Sequence, residues 1–269
     1  MRRGALALSA ALACAPALRP PPPPSATPAA PAGDAPALLA EARAEWARRP
    51  DPAAVSRAEA RFLSAAQADP KGVEALLGAI EARVWRAGHE RTGSDRAAAA
   101  RAAVEAGQLC EQRAPGSPVC AFGLALALGV QAREVPTTAR DGIKRMVPLL
   151  QRAAEADPGL EEGGPLRVLA LVLVRAPGWP LGPGDPEAAL AAARKAAALF
   201  PDHPANQLAL AEARLATGDE AGGRAAAARG LALARARAEQ GDPDAPEQVK
   251  DAEKLLSRPP PPKDPAGPG

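Results

Sequence analysis

The 269-residue sequence predicts an all-α fold, a right-handed α-solenoid of about ten to twelve helices stacked as degenerate pairs. Three observations predict it. Gly184-Asp185 recurs as Gly218-Asp219, 34 residues on, and each copy opens an alanine-rich helical pattern. Prolines that end such patterns recur at Pro70, Pro115, Pro158 and Pro201, spaced by 45, 43 and 43 residues. Between them stand pairs of a large and a small residue: Leu77-Gly78, Phe122-Gly123, Leu169-Ala170 and Leu210-Ala211. β-branched residues are scarce and nothing alternates with period two, so strands are not expected.

Taken in chain order, Met1-Arg2-Arg3 is a basic start, followed by an apolar run from Gly4 to Ala13 that is interrupted only by Ser9. Ten residues are too few to span a bilayer and suit a secretory leader, residues 1–13. The run ends in Ala11-Leu12-Ala13-Cys14, which resembles the bacterial lipobox in which the cysteine becomes the lipid-modified first residue. Cleavage after Ala13 that leaves Cys14 unmodified is the alternative, as is a cytosolic chain with a chance apolar start. Residues 14–36 then read as a tether: Pro20 to Pro24 in a row, followed by more proline, serine, threonine and alanine. Such a segment favours polyproline II at about 3.1 Å per residue, a reach of roughly 50–60 Å.

Residues 37–258 read as the helical repeat domain. Its second helices carry small residues where the next pair crosses closely: Ala58, Phe62 and Ala65 before Pro70, and Ala189, Ala193 and Ala196 before Pro201. Ala103 with Cys110 before Pro115, and Ala153 before Pro158, are looser copies. The 34-residue phrasing, the large-small pairs and the terminal prolines together are the signature of tetratricopeptide-type helix pairs. Since the proline spacing exceeds 34, insertions of about ten residues are expected in several repeats. Ala245 to Arg258 reads as a capping helix, and 259–269 as a proline-rich disordered tail.

Charge is balanced: the net value is +2, and loss of Arg2 and Arg3 with a leader would leave a neutral chain. Acidic and basic residues alternate along the helices, as on solvated faces. No concentrated basic surface points to nucleic acid. Cys110 and Cys120 flank the turn Ala114-Pro115-Gly116-Ser117-Pro118. An exported helical hairpin could bond them, or they are two buried thiols. His89 and His203 stand apart with no metal-ligand spacing. No nucleophile, acid–base pair or phosphate loop emerges, so neither an enzyme nor a cofactor is expected.

Residues 163–185 contain Gly163, Gly164, Pro165, Arg167, Ala176, Pro177, Pro180, Gly184 and Asp185 in an arrangement similar to the T-component lipoproteins of tripartite ATP-independent periplasmic (TRAP) transporters. The resemblance covers about 75 residues, Gly159 to Leu231, and the lipobox-like start. It implies a non-enzymatic, membrane-tethered scaffold facing the periplasm of a Gram-negative bacterium from the outer or inner membrane. The implied partner is a protein, of which a periplasmic solute-binding protein is the natural candidate. A carrier of a small apolar ligand and a purely structural envelope lipoprotein are the alternatives. First helices should line the concave surface, with Trp85, Arg167 and Trp179 as candidate contact residues. Trp179 either folds back to anchor its proline-stiffened loop or joins that surface, and Arg167 is expected to pair with Glu161 or Glu162.

Overall fold

The computed structural model describes residues 34–258. The leader, Cys14, all but the last few residues of the tether and the tail from residue 259 therefore lie outside the described residues. Among the described residues the chain forms eleven α helices and no strand: α1 (Ala35–Trp46), α2 (Pro52–Ala68), α3 (Glu74–His89), α4 (Gly93–Arg113), α5 (Pro118–Glu134), α6 (Ala139–Ala156), α7 (Gly164–Arg175), α8 (Pro186–Leu199), α9 (Pro204–Ala216), α10 (Glu220–Glu239) and α11 (Ala245–Leu256). Consecutive helices pack as antiparallel neighbours, giving five pairs capped by α11. Helix α1 takes in Ala35 and Pro36, which the sequence reading gave to the tether. Proline is accommodated there because a first turn has no intrahelical use for its missing N–H.

The punctuation of the array has one physical cause. Helices α2, α4, α6 and α8 each stop two residues short of Pro70, Pro115, Pro158 and Pro201. The residue before each proline leaves the helical region, with ψ of 91° at Asp69, 75° at Ala114, 86° at Asp157 and 74° at Phe200. A proline ring disfavours the α conformation in its predecessor. The side-chain caps fall on the second helices instead: Asp185 accepts from the Ala188 N–H at 3.0 Å at the start of α8 and Asp219 from the Gly222 N–H at 2.9 Å at the start of α10. The two glycines of the Gly-Asp echo serve different ends. Gly218 adopts φ +84°, whereas at Gly184 an added Cβ would lie 2.2 Å from the Ala176 carbonyl oxygen.

Alanine and glycine set the packing distance. Ala58, Ala189, Ala193 and Ala196 are fully buried at helix crossings. The Phe62 ring occupies the place where a side chain on Gly78 would sit, 2.4 Å from that position. Burying a side chain of this size stabilises by about 1.5–3 kcal/mol, and the large-small pair exists to receive it. The extra length of the early repeats is helical: α3 and α4 hold 16 and 21 residues, and α5 and α6 hold 17 and 18. Only the α7–α8 connection is the inserted loop that the spacing suggested.

That loop ties itself down through its backbone. The Gly184 N–H donates to Pro177 O at 2.8 Å and the Asp185 N–H to Leu173 O at 3.0 Å. With both ends pinned, no side-chain anchor is required. Trp179 does not fold back: it is 89% exposed at the loop tip, beside Leu181 at 71%.

Candidate functional site

Two helices of the array carry more apolar surface than the core can use. On α7, Leu166, Leu169, Ala170 and Leu173 are buried in the core. Val168, Leu171, Val172 and Arg175, spaced as one helical stripe, border a groove, with Val168 and Val172 also packing in part against the core. On α5, Leu126, Gly129 and Arg133 border the same space, with Val130 lining it from a buried position. The N-terminal ends of the two helices meet where the Phe122 ring packs over Gly164, leaving no room for a Cβ. Beyond that point α5 and α7 no longer pack on one another. Ile143 and Met146 of α6 floor the gap, and Val84 of α3 closes one side. The result is a groove of about 510 Å³ with apolar walls and with Arg133 and Arg175 among its lining residues. Arg175 is held by Glu212 of α9 through both guanidinium and carboxylate edges.

Val84 and Arg133 also border a second, polar cavity of about 690 Å³ on the concave side. Here the two ends of the array meet. Arg49, after α1, donates through Nη2 to Asp244 Oδ2 at 2.7 Å and through Nε to Oδ1 at 3.2 Å, just before α11. The same guanidinium lies 3.8 Å over the Trp46 ring. Trp85, in the last turn of α3, is another wall, its ring stacked on His89 at 3.9 Å. The His89 Nδ1 lies 2.8 Å from Trp85 O, one turn back. One turn before Trp85, Glu81 points into the cavity. Enclosure by protein, reinforced by Glu161 and Asp244 and opposed by Arg49, pushes its carboxyl up to about 8.

A polar knot ties α7 to α9. Arg167 Nη1 donates to Asn206 Oδ1 at 2.8 Å, and Asn206 Nδ2 donates to Glu162 O at 3.0 Å. Asn206 is fully buried, so its amide must be satisfied at both ends. The expected pairing of Arg167 with a Glu161 or Glu162 carboxylate does not occur. Of the two glutamates the guanidinium reaches only the Glu162 backbone carbonyl, at 3.4 Å, because the Glu162 carboxylate turns to His203 and Arg237 at 3.5 and 3.7 Å. Burial draws Arg167 down to about 10, partly offset by the Glu161 and Glu162 charges. Burial also draws His203 down to about 4, with the Arg167 and Arg237 cations adding to the effect.

The arrangement of pairs is shared with a solved structure. A thermophilic TPR protein of Thermus thermophilus, TTC0263, aligns with a TM-score of 0.57 at 18% identity, over 83% of this chain and 99% of that chain. The fold is a tetratricopeptide-type solenoid. MamA protein aligns with a TM-score of 0.44 at 15% identity, over 76% of this chain and 94% of that one. No protein-family model and no curated protein matches the chain.

Within this tetratricopeptide-type array, the structure separates the three residues singled out from sequence. Trp85 lines the concave cavity, Arg167 is drawn into the α7–α9 knot, and Trp179 stands outside on its loop. Cys110, at the end of α4, and Cys120, at the start of α5, are joined by a disulfide across the turn. Sequence reasoning missed Arg49, Glu81, Asn206 and Asp244. The breadth of the apolar face of α7 was legible, since Val168, Leu171 and Val172 lie beside the core positions Leu166, Leu169 and Leu173. Glu81 carried no signal, because an acid on a helix ordinarily marks a solvated face.

Proposed function

We propose that this protein is a non-catalytic binding scaffold that captures an apolar helical segment of a partner protein in the groove between α5, α6 and α7. The observation that carries the reading is the separation of α5 from α7, which leaves Leu126, Val168, Leu171 and Val172 bordering a shared space. An amphipathic helix laid into such a groove buries its apolar face at i, i+3 and i+4 spacing. Arg133 and Arg175, already engaged with Glu134 and Glu212, supply a polar rim without a dominant ionic anchor. Substituting Val172 with Glu should abolish capture of the partner while leaving the fold intact, because Val172 is only half-buried in the free protein. Retained binding would remove the groove from the account.

In this reading Cys14 carries the lipid, residues 15–34 act as a spacer, and the repeat body faces the periplasm. The partner would be the solute-binding protein of a TRAP-type transporter. The support for this is the basic-apolar start, the lipobox-like Ala11 to Cys14 and the Gly163 to Asp185 motif. Metabolic labelling with a clickable palmitate analogue tests the anchor, and signal that persists in Cys14→Ser would defeat it.

One observation favours a second reading, a carrier for a small apolar ligand. A groove of about 510 Å³ lies within the roughly 300–1,000 Å³ of small-molecule sites. Native mass spectrometry of protein purified from its own membranes separates the two: a stoichiometric small adduct lost in the Val172→Glu variant favours the carrier.

A further inference from the structure

We infer that the Trp179 loop of one copy seats in the α5–α7 groove of a second copy, in a two-fold dimer that covers the groove when no partner helix is bound. Trp179 and Leu181 are the most exposed large apolar side chains among the described residues. They stand together on a loop, Pro177 to Gly184, that carries no charged side chain. An apolar tip of this kind marks a contact site. Neither side chain lines the groove of its own chain. The loop backbone is closed by the Gly184 N–H on Pro177 O, and by the Leu181 and Gly182 N–H groups on Gly178 O at 3.0 and 3.1 Å. The tip is therefore a knob held outward, and seating it elsewhere loses little conformational freedom.

The same chain offers the complement. Leu126, Ile143, Val168 and Val172 wall a groove of about 510 Å³, room for an indole with a leucine beside it. Arg133 and Arg175 are already paired with Glu134 and Glu212, so each can offer its guanidinium to an aromatic ring without leaving a charge unmatched. The groove ends where the loop begins: Arg175 and Ala176 line it, and Pro177 opens the loop. Knob and socket are thus adjacent. One two-fold axis beside Ala176 can place each knob in the other copy's socket, the self-complementary contact that closes a dimer. A tryptophan buries about 150–250 Å². With Leu181, the socket walls and two copies of the contact, the total comes to about 1,000 Å², at the lower edge of specific interfaces. Association should therefore be weak and reversible, as a displaceable cover requires.

The dimer stands on the knob and the socket alone, whereas its regulatory meaning rests on the proposed function. A partner helix and the knob of a second copy compete for the same walls, so capture of the partner splits the dimer. Only differential affinity for the open groove can drive that exchange, and the small area of the self-contact favours the partner.

Sedimentation equilibrium of the full chain, from micromolar to several hundred micromolar, tests this. The expected result is a mass that rises with concentration from one copy to two and no further. Trp179→Ala, at a position too exposed to disturb the fold, should weaken association at least about tenfold. Val172→Glu should do the same from the socket side. An equimolar mixture of the two variants should associate more tightly than either alone, because the knob of Val172→Glu still fits the socket of Trp179→Ala. A chain that stays monomeric, a dimer untouched by Trp179→Ala, a mixture no tighter than its parts, or growth beyond two copies would overturn the inference. So would a monomer that binds phosphatidylcholine vesicles and loses them in Trp179→Ala, which would assign the loop to a membrane. A parent chain that is monomeric yet captures its partner sinks the dimer alone. A dimer that captures no partner sinks the proposed function alone.

Discussion

Arg49 and Asp244 are separated by 195 residues and joined by two hydrogen bonds, the shorter 2.7 Å. This contact brings the first helical pair and the start of the capping helix α11 together, so the polar cavity has a wall from each end of the helical array. Arg49 is nearly buried at the contact and Asp244 is half exposed, with side-chain exposures of 8% and 56%. A bidentate pair of this kind is geometrically specific, but an exposed partner limits its contribution to about 1 kcal/mol or less. Its consequence is therefore shape rather than stability. Asp244→Asn should raise the radius of gyration measured by small-angle scattering and speed amide exchange in α11, with a small change in melting temperature. Unchanged scattering and exchange would show that the ends are held by packing alone.

Ala196 is fully buried where α8 crosses its neighbours, beside Ala154 and Leu166. Ala196→Leu should overpack this crossing and destabilise by about 1–3 kcal/mol, read by urea unfolding. A silent substitution would mean that the crossing has slack.

The disulfide between Cys110 and Cys120 spans 10 residues of sequence. Replacing both with serine should lower stability by roughly 2–3 kcal/mol through the unfolded chain's regained freedom. The loss should match that of the unsubstituted protein under reductant. A difference between the two would indicate that the serines disturb the α4–α5 packing.

Two groups give stability opposite slopes with pH. Glu81 has a folded value raised to about 8 from 4.5, so the folded state holds the extra proton and stability falls as pH rises through that window. His203 has a folded value lowered to about 4 from 6.5, so stability falls as pH drops from 6.5 toward 4. Between about pH 4.5 and 6.5 the two slopes oppose each other, so melting temperature against pH should show Glu81→Gln removing the fall between pH 6.5 and 8, and His203→Gln uncovering a fall with rising pH between 4.5 and 6.5. Parallel curves for variant and parent would rule out these assignments.

What the sequence made legible was local. Pro70, Pro115, Pro158 and Pro201 act on their immediate predecessors, and Gly78, Gly123, Ala170 and Ala211 mark crossings within neighbouring pairs. Arg49 and Asp244 meet only because superhelical curvature accumulates over the whole array, which no short motif records. Trp179 misled for a related reason. Prolines on both sides suggested a loop needing an anchor, yet the backbone bonds from Gly184 and Asp185 already close it. Arg167 was expected to find Glu161 or Glu162, but Asn206, 39 residues away, was the closer partner in space.

The most direct test of the central claim is site-specific photo-cross-linking from the groove. A photoreactive residue at Val172 should give one dominant protein adduct in membranes, whereas the same residue at Ala228, exposed on α10, should give none. The yield should change little between about 50 and 300 mM salt, because no unpaired ionic anchor lines the groove. The captured partner should then bind the purified chain in isolation and fail to bind the Val172→Glu variant. Equal adducts from both positions, or a partner that binds Val172→Glu as well as the parent, would contradict the account.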